Sequence, residues 1–285
     1  MEMTQALDEA LSTLITASHI LDYQGVVDAY GHISLRDANN PDHFWMSRNL
    51  APALVACQDD LVAYRIADSE PVERDAPAGF VERAIHASIY RWYSGVNSVI
   101  HSHSHDVVPF TVTRVPLRPV YHMAGFLGAS VPIWDIASCY DDRDADAHVR
   151  DLLVRDNHIG DSLAAAFGPP QALADGEVRS ELPAHKVVLM RGHGFTTAAE
   201  DIRTAVFQAV YAQNNARLQA QSLALTSAAG GPGVEFLNDR EIRDTSRVMP
   251  KTSARPWGLW VKQVETNNLY TNNLQSKATA HDGRP

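Results

Sequence analysis

Apolar side chains recur at Leu7, Leu11, Leu14, Ile15 and Ala17, a 3.6-residue period that predicts an amphipathic helix over residues 4 to about 22. The period then changes to two. "YGHISLRD" (30 to 37), "HFWMSR" (43 to 48) and "DLVAYRIAD" (60 to 68) alternate like strands of an antiparallel meander. Residues 79 to 93 return to helical spacing, with Val81, Ile85, Ser88 and Ile89 as the expected inward stripe and Glu82 beside it near the helix start. A β-branched run predicts a strand over 96 to 103. The Pro- and Gly-rich "VPLRPVYHMAGFLGASVPIWD" follows, and its last residues read as another strand. "HKVVLMRGHGF" predicts a buried strand ending in a Gly-His-Gly turn. Asp201 occupies the N-cap position of a long helix with Ile202, Val206, Ala209 and Val210 on one face. The breaker cluster "TSAAGGPG" ends that helix and is the linker candidate. Beyond it the pattern predicts a short helix near 238 to 247, an aromatic helix through "PWGLWVKQVE", and a disordered polar tail, "QSKATAHDGRP".

Helix and strand signals are therefore mixed, as in an α/β protein. With 285 residues and 45% apolar content the chain can build a substantial core. A formal charge of -10 excludes a general nucleic-acid or anionic-membrane binder, which needs a basic face to neutralise phosphates. An acidic ligand must then be held by local positive groups. "MEMTQALDEALSTLI" lacks the basic and continuous apolar regions of a signal peptide, and no apolar run reaches membrane-spanning length. The two cysteines, Cys57 and Cys139, fit a reducing compartment and give no sulfur metal site. A cytoplasmic setting is expected.

The candidate chemistry starts at "VNSVIHSHSHDVVPF", where His101, His103 and His105 alternate with serines after a buried-looking run. On a strand, residues two apart share a face, so His101 and His103 can present nitrogens about 7 Å apart to one point; a chance pair on an exposed strand end is the plain alternative. A third ligand from elsewhere would complete a chelate for a divalent ion. His193 in "LMRGHGF" also follows a β-rich run, and its flanking glycines allow close backbone approach, although alone it would read as a turn histidine. Together these positions outline a three-histidine site. Glu82 supplies the carboxylate, either as the acid-base partner or as a helix-start glutamate favoured by the dipole.

Glu82 followed by "VIHSHS" and later by "RGHG" resembles the class II aldolase/adducin family, over about residues 5 to 225. The resemblance implies a three-layer α/β/α fold around a mostly antiparallel central sheet, and a homotetramer with sites at subunit interfaces. It also implies one divalent metal ion per chain on His101, His103 and His193, zinc or manganese first, iron or cobalt as alternatives, with Glu82 as acid-base residue and, as an open alternative, a further ligand of the resting metal. Residues 1-229 are expected to form the catalytic domain, 230-274 a helical extension packed on it, and 275-285 a disordered tail.

The sequence departs from the family's sugar-phosphate aldolases where they bind phosphate: it has Gly31-His32, "MSRNLAP" and "AGFVE", in which Phe80 and Val81 offer no hydroxyl. "YGHISLRD", "MSRNLAPALV", "PLRPVYHMAGFLG" and "VPIWDIA" resemble instead the branch that contains 3-hydroxy-2-methylpyridine-4,5-dicarboxylate 4-decarboxylase and related aromatic acid decarboxylases. That likeness implies a lyase that decarboxylates a hydroxylated aromatic or heteroaromatic acid through a metal-stabilised, enolate-like state. An aldolase of an unphosphorylated substrate and a non-haem iron(II) oxygenase on the same histidines stay open, and a scaffold without catalysis is disfavoured because every ligand position is filled. His32 is read as an auxiliary acid or substrate donor, or else as a strand histidine bonded to backbone. Ser47 and Arg48 offer a hydroxyl and a fork suited to a carboxylate, unless Arg48 is a surface arginine. Tyr121, His122 and Arg191 are further candidates for lining the substrate pocket, with Arg191 alternatively turned away to an acidic partner.

Overall fold

The computed structural model describes residues 2–140, 149–171 and 182–275. Its centre is a seven-stranded sheet in the order β3-β2-β1-β4-β9-β8-β5. These strands are β1 (His32–Arg36), β2 (His43–Ser47), β3 (Leu61–Arg65), β4 (Ser98–Ser102), β5 (Ile133–Trp134), β8 (Val187–Met190) and β9 (Gly194–Ala199). Two short strands, β6 (Pro170–Gln171) and β7 (Leu182–Pro183), pair separately. All neighbours in the large sheet are antiparallel except β5 and β8, so the sheet is mostly antiparallel, as expected.

The period-two alternation divides side chains between two layers of helices. Ile33, Ile100, Val187, Leu189 and Phe195 join one core with α1 (Glu2–Tyr23), α5 (Ile202–Ala229) and α7 (Ala254–Glu265). Val99, Val188, Met190 and Ala198 point the other way, to α2 (Arg83–Trp92) and α4 (Asn157–Ala166). α3 (Val108–Val112) and α6 (Asp239–Val248) complete the set, and α6 packs on the 3-10 turn His122–Leu127. The chain thus has the three-layer α/β/α architecture.

Local sequence explains the boundaries. Asp201 caps α5, its carboxylate accepting from Thr204 N at 2.9 Å, and Gly230 ends that helix in the left-handed conformation. Asn238 and Glu241 form a reciprocal capping box on α6. α7 buries Trp257, Trp260 and Val264 in the same core as α1 and α5. No helix among the described residues is long and apolar enough to cross a membrane. The expected disordered tail lies, from residue 276 onward, outside the described residues.

The structure departs from the sequence reading at three points. "HKVVLMRGHGF" forms the expected buried strand, Val187–Met190, and turn, but that turn closes a hairpin whose second strand, "GFTTAA", was not expected and sits between β4 and β8. Its threonines and alanines carry little hydrophobic signal, yet every residue of β9 is buried. The helix α4 was not expected at all, although Asp156 caps it by accepting from Ile159 N. Finally, Val81 is not inward: it is 45% exposed, and Glu82, His86 and Tyr90 hold the buried face with Ile85 and Ile89. A polar stripe that is satisfied internally is invisible to a count of apolar positions.

Candidate active site

Strand pairing builds the site at one end of the sheet. β4 carries His101 directly opposite His32 of β1 and Thr196 of β9, and His103 follows just past the strand end. His193 stands at the tip of the β8–β9 hairpin, whose closing pair is Met190 and Gly194. Glycine is required there on steric grounds, because a Cβ on Gly194 would lie 1.9 Å from the Ser102 carbonyl oxygen. That contact brings the hairpin tip against the end of β4. Glu82 precedes the first turn of α2 and makes no capping bond with its side chain.

These four residues converge. Ligand-type atoms of Glu82, His101, His103 and His193 all lie within 4.8 Å of one another. Glu82 Oε2 is 3.6 Å from His101 Nε2 and 3.5 Å from His193 Nε2, and the His193 and His103 Nε2 atoms are 2.9 Å apart. The carboxylate is oriented from behind, since its Oε1 accepts from Val154 N at 3.0 Å. His101 is oriented likewise. The Thr196 hydroxyl donates to Met190 Sδ at 3.2 Å, so its oxygen accepts from His101 Nδ1 at 3.3 Å and the Nε2 lone pair faces the cluster.

The donor set fits a divalent cation. His101 Nε2 is buried with no hydrogen-bond partner among the described residues, a state that costs free energy unless something occupies the space before it. Burial, reinforced by the neighbouring imidazoles, holds His101 well below the ordinary histidine range, and burial with His193 nearby lowers His103. Both rings are therefore neutral, the form that ligates metal.

The other sequence candidates fall in different places. His32 is buried beside the cluster, its ring 5.2 Å from that of His101 and 4.7 Å from Phe80. Ser47 ends β2, and Arg48 forms a bridge with Gly79 in the loop that leads to Phe80 and Glu82. Arg48 Nε is paired with Asp60 at 2.9 Å. Arg191 is ion-paired with Asp135 at 2.6 Å and turned outward. Tyr121 and His122 lie at the 3-10 turn beneath α6, and no described hydrogen bond or ring contact joins them to the histidine cluster. His105 is exposed. Sequence reasoning missed the supporting residues Thr196, Met190 and Val154, whose types carry no signal of their role. It also missed His86, Ser34 and Tyr90, for which the spacing of Glu82, His86 and Tyr90 by four was a usable sign.

Residues 12–220 match the Class II Aldolase and Adducin N-terminal domain, and the chain belongs to this family. It is 44% identical over 265 residues to Decarboxylase tropJ of Talaromyces stipitatus, covering 91% of this chain and 96% of that protein. It is 26% identical over 237 residues to 3,4-dihydroxyphthalate decarboxylase of Arthrobacter keyseri, covering 78% and 80%. Among solved structures it is similar to L-fuculose 1-phosphate aldolase from Glaciozyma antarctica, with a TM-score of 0.63, 18% identity, and coverage of 92% of this chain and 91% of that one. An aldolase II superfamily protein from Pseudomonas syringae gives 0.66, 17%, 92% and 94%. These structures share the fold, and the family together with the decarboxylase relatives makes this chain an enzyme of the lyase class.

Proposed function

We propose that the chain decarboxylates a hydroxylated aromatic or heteroaromatic carboxylic acid with a divalent metal ion held by His101, His103 and His193. The observation that carries this reading is the convergence of three imidazoles and one buried carboxylate on a single point. A cation bound there supplies Lewis acidity toward a substrate oxygen, worth several kcal/mol to a developing negative charge. Zinc or manganese is the proposed ion, with iron or cobalt as alternatives.

The chain's own groups account for the rest. Addition of a proton to the carboxylate-bearing carbon of an ortho-hydroxylated ring gives a dienone, and when carbon dioxide then leaves, the electron pair of the broken C–C bond flows to the ortho oxygen and restores the aromatic ring. Glu82 Oε2 is the proposed source of that proton, since Val154 N holds the other carboxylate oxygen and fixes its aim. Ser47 and Arg48 are proposed to receive a substrate carboxylate, because the Gly79 bridge sets them beside the loop carrying Glu82, and Asp60 engages only Nε of the guanidinium. Arg191 has no part in this proposal, as Asp135 takes up its charge, and neither have Tyr121 and His122. The assembly is proposed to be a homotetramer acting on a small acidic molecule.

The test is carbon dioxide release from 3,4-dihydroxyphthalate and other ortho-hydroxylated arene carboxylates, measured with and without oxygen. Release that is independent of oxygen and abolished by chelator supports the reading. Oxygen-dependent turnover would replace it with an iron(II) oxygenase, and an aldehyde product with an aldolase.

A further inference from the structure

Behind the cluster a second polar line runs beneath α2. His86 Nε2 lies 2.8 Å from His32 Nδ1, His86 Nδ1 lies 2.6 Å from Ser34 Oγ, and Ser34 Oγ lies 2.7 Å from the Tyr90 hydroxyl. All four side chains are buried. His32 and Ser34 share one face of β1, while His86 and Tyr90 are one turn apart on α2, which is how separate positions fall into one row.

Hydrogens in such a row have a direction. Among the described residues Ser34 Oγ is the only hydrogen-bond partner of the Tyr90 hydroxyl, so the phenol's own hydrogen goes to Ser34 Oγ. If Ser34 donated to Tyr90 instead, the phenol hydrogen would be buried without an acceptor. The Ser34 hydrogen is then left for His86 Nδ1, which makes His86 the Nε2–H tautomer. Burial pushes His86 down to about 3 and keeps the ring neutral. Its Nε2–H donates to His32 Nδ1, and the remaining hydrogen of His32 is on Nε2. That nitrogen is buried and has no partner among the described residues.

We infer that Tyr90, Ser34 and His86 are positioning residues that fix His32 as the Nε2–H tautomer, so that His32 meets substrate as a preset hydrogen-bond donor to oxygen, not as a base or a metal ligand. The nature of the acceptor, a phenolate or carboxylate oxygen of the substrate, rests on the decarboxylase reading. The tautomer does not.

Long-range proton–nitrogen correlation on full-length protein labelled with ¹⁵N-histidine tests the two separately, with His32 signals assigned by their loss in His32→Gln. The wild type should show His32 and His86 as single Nε2–H tautomers. Ser34→Ala should turn His32 into a mixture of both tautomers, with Tyr90→Phe moving it in the same direction as the milder variant. An Nδ1–H His32 in the wild type, or a tautomer unmoved in both variants, overturns the positioning chain. Adding salicylate to the zinc-loaded protein should shift the His32 Hε2 resonance downfield. A resonance that stays in place throughout that titration overturns the donor role. A fixed tautomer in a protein that binds no metal would remove the lyase reading and leave the chain of positioning residues standing.

Discussion

His32 and His101 face each other across β1 and β4 with ring centroids 5.2 Å apart, and their partners polarise them in opposite senses. Thr196 takes the Nδ1 hydrogen of His101 and leaves an Nε2 lone pair, whereas His86 occupies Nδ1 of His32 and leaves an Nε2 hydrogen. Two identical side chains thus become an acceptor and a donor. Removing the acceptor of His101 with Thr196→Val should weaken metal binding by about 10- to 100-fold. Competition with a chromogenic chelator measures it, beside His103→Ala as the variant that loses a ligand outright; equal affinity in Thr196→Val and wild type would deny Thr196 this role.

Glu82→Gln should lower kcat by about 10²- to 10⁴-fold while KM changes little, because the amide oxygen can still accept from Val154 N but the side chain no longer carries an exchangeable acid proton. Steady-state kinetics decide it. Undiminished turnover would take Glu82 out of the proton transfer.

Arg48→Ala should act on the other parameter. A guanidinium that grips substrate carboxylate equally in ground and transition states sets KM, so KM should rise about tenfold or more with kcat nearly unchanged. An unaltered KM would leave Arg48 as the partner of Asp60 alone.

Asp60 gives a pH dependence whose sign is fixed. Burial alone would raise its pKa, but hydrogen bonds from Ala56 N, Arg48 and Cys57 outweigh burial and leave it below the usual carboxylate value. A depressed folded-state value means that its stabilisation is complete above the unfolded carboxylate range near 4 and is lost as pH falls through the folded value. Asp60→Asn should therefore destabilise by about 1–2 kcal/mol at pH 7 and by progressively less below pH 4. Urea unfolding of both proteins across that range would show it, and a gap that is constant with pH would contradict it.

The C-terminal helices should be structural for the whole molecule. Trp260 packs in the core shared with α1 and α5, so Trp260→Ala should cost about 3–5 kcal/mol. Calorimetry should show one cooperative transition at lower Tm. Two separated transitions would mean that α7 unfolds apart from the sheet.

Much of this molecule is legible in its sequence, and the remainder is hidden for definable reasons. His101 and His103 announce themselves because period two on a strand puts neighbours in the sequence on one face. His193 is found through its glycines, and the contact of Gly194 with the Ser102 carbonyl shows why they stand there. Strand β9 escapes notice because a central strand is specified by what flanks it, so Thr196 and Ala198 need no bulky signal of their own. The line from Tyr90 to His32 is hidden more deeply. Each member has an ordinary local explanation, and only the packing of α2 on β1 joins them.

The Gly194–Ser102 contact has a further meaning for how the chain folds. Side chains alternate between the two layers, so a slip of β4 by one residue against β9 would carry His101 and His103 out of the polar end and into the hydrocarbon layer beneath α1 and α5. The tight approach of Gly194 to the end of β4 penalises such a slip at the point where it would begin. Correct alignment of the middle of the sheet and assembly of the imidazole set are consequently a single event, and a misaligned chain would be unable to hold an ion that could rescue it.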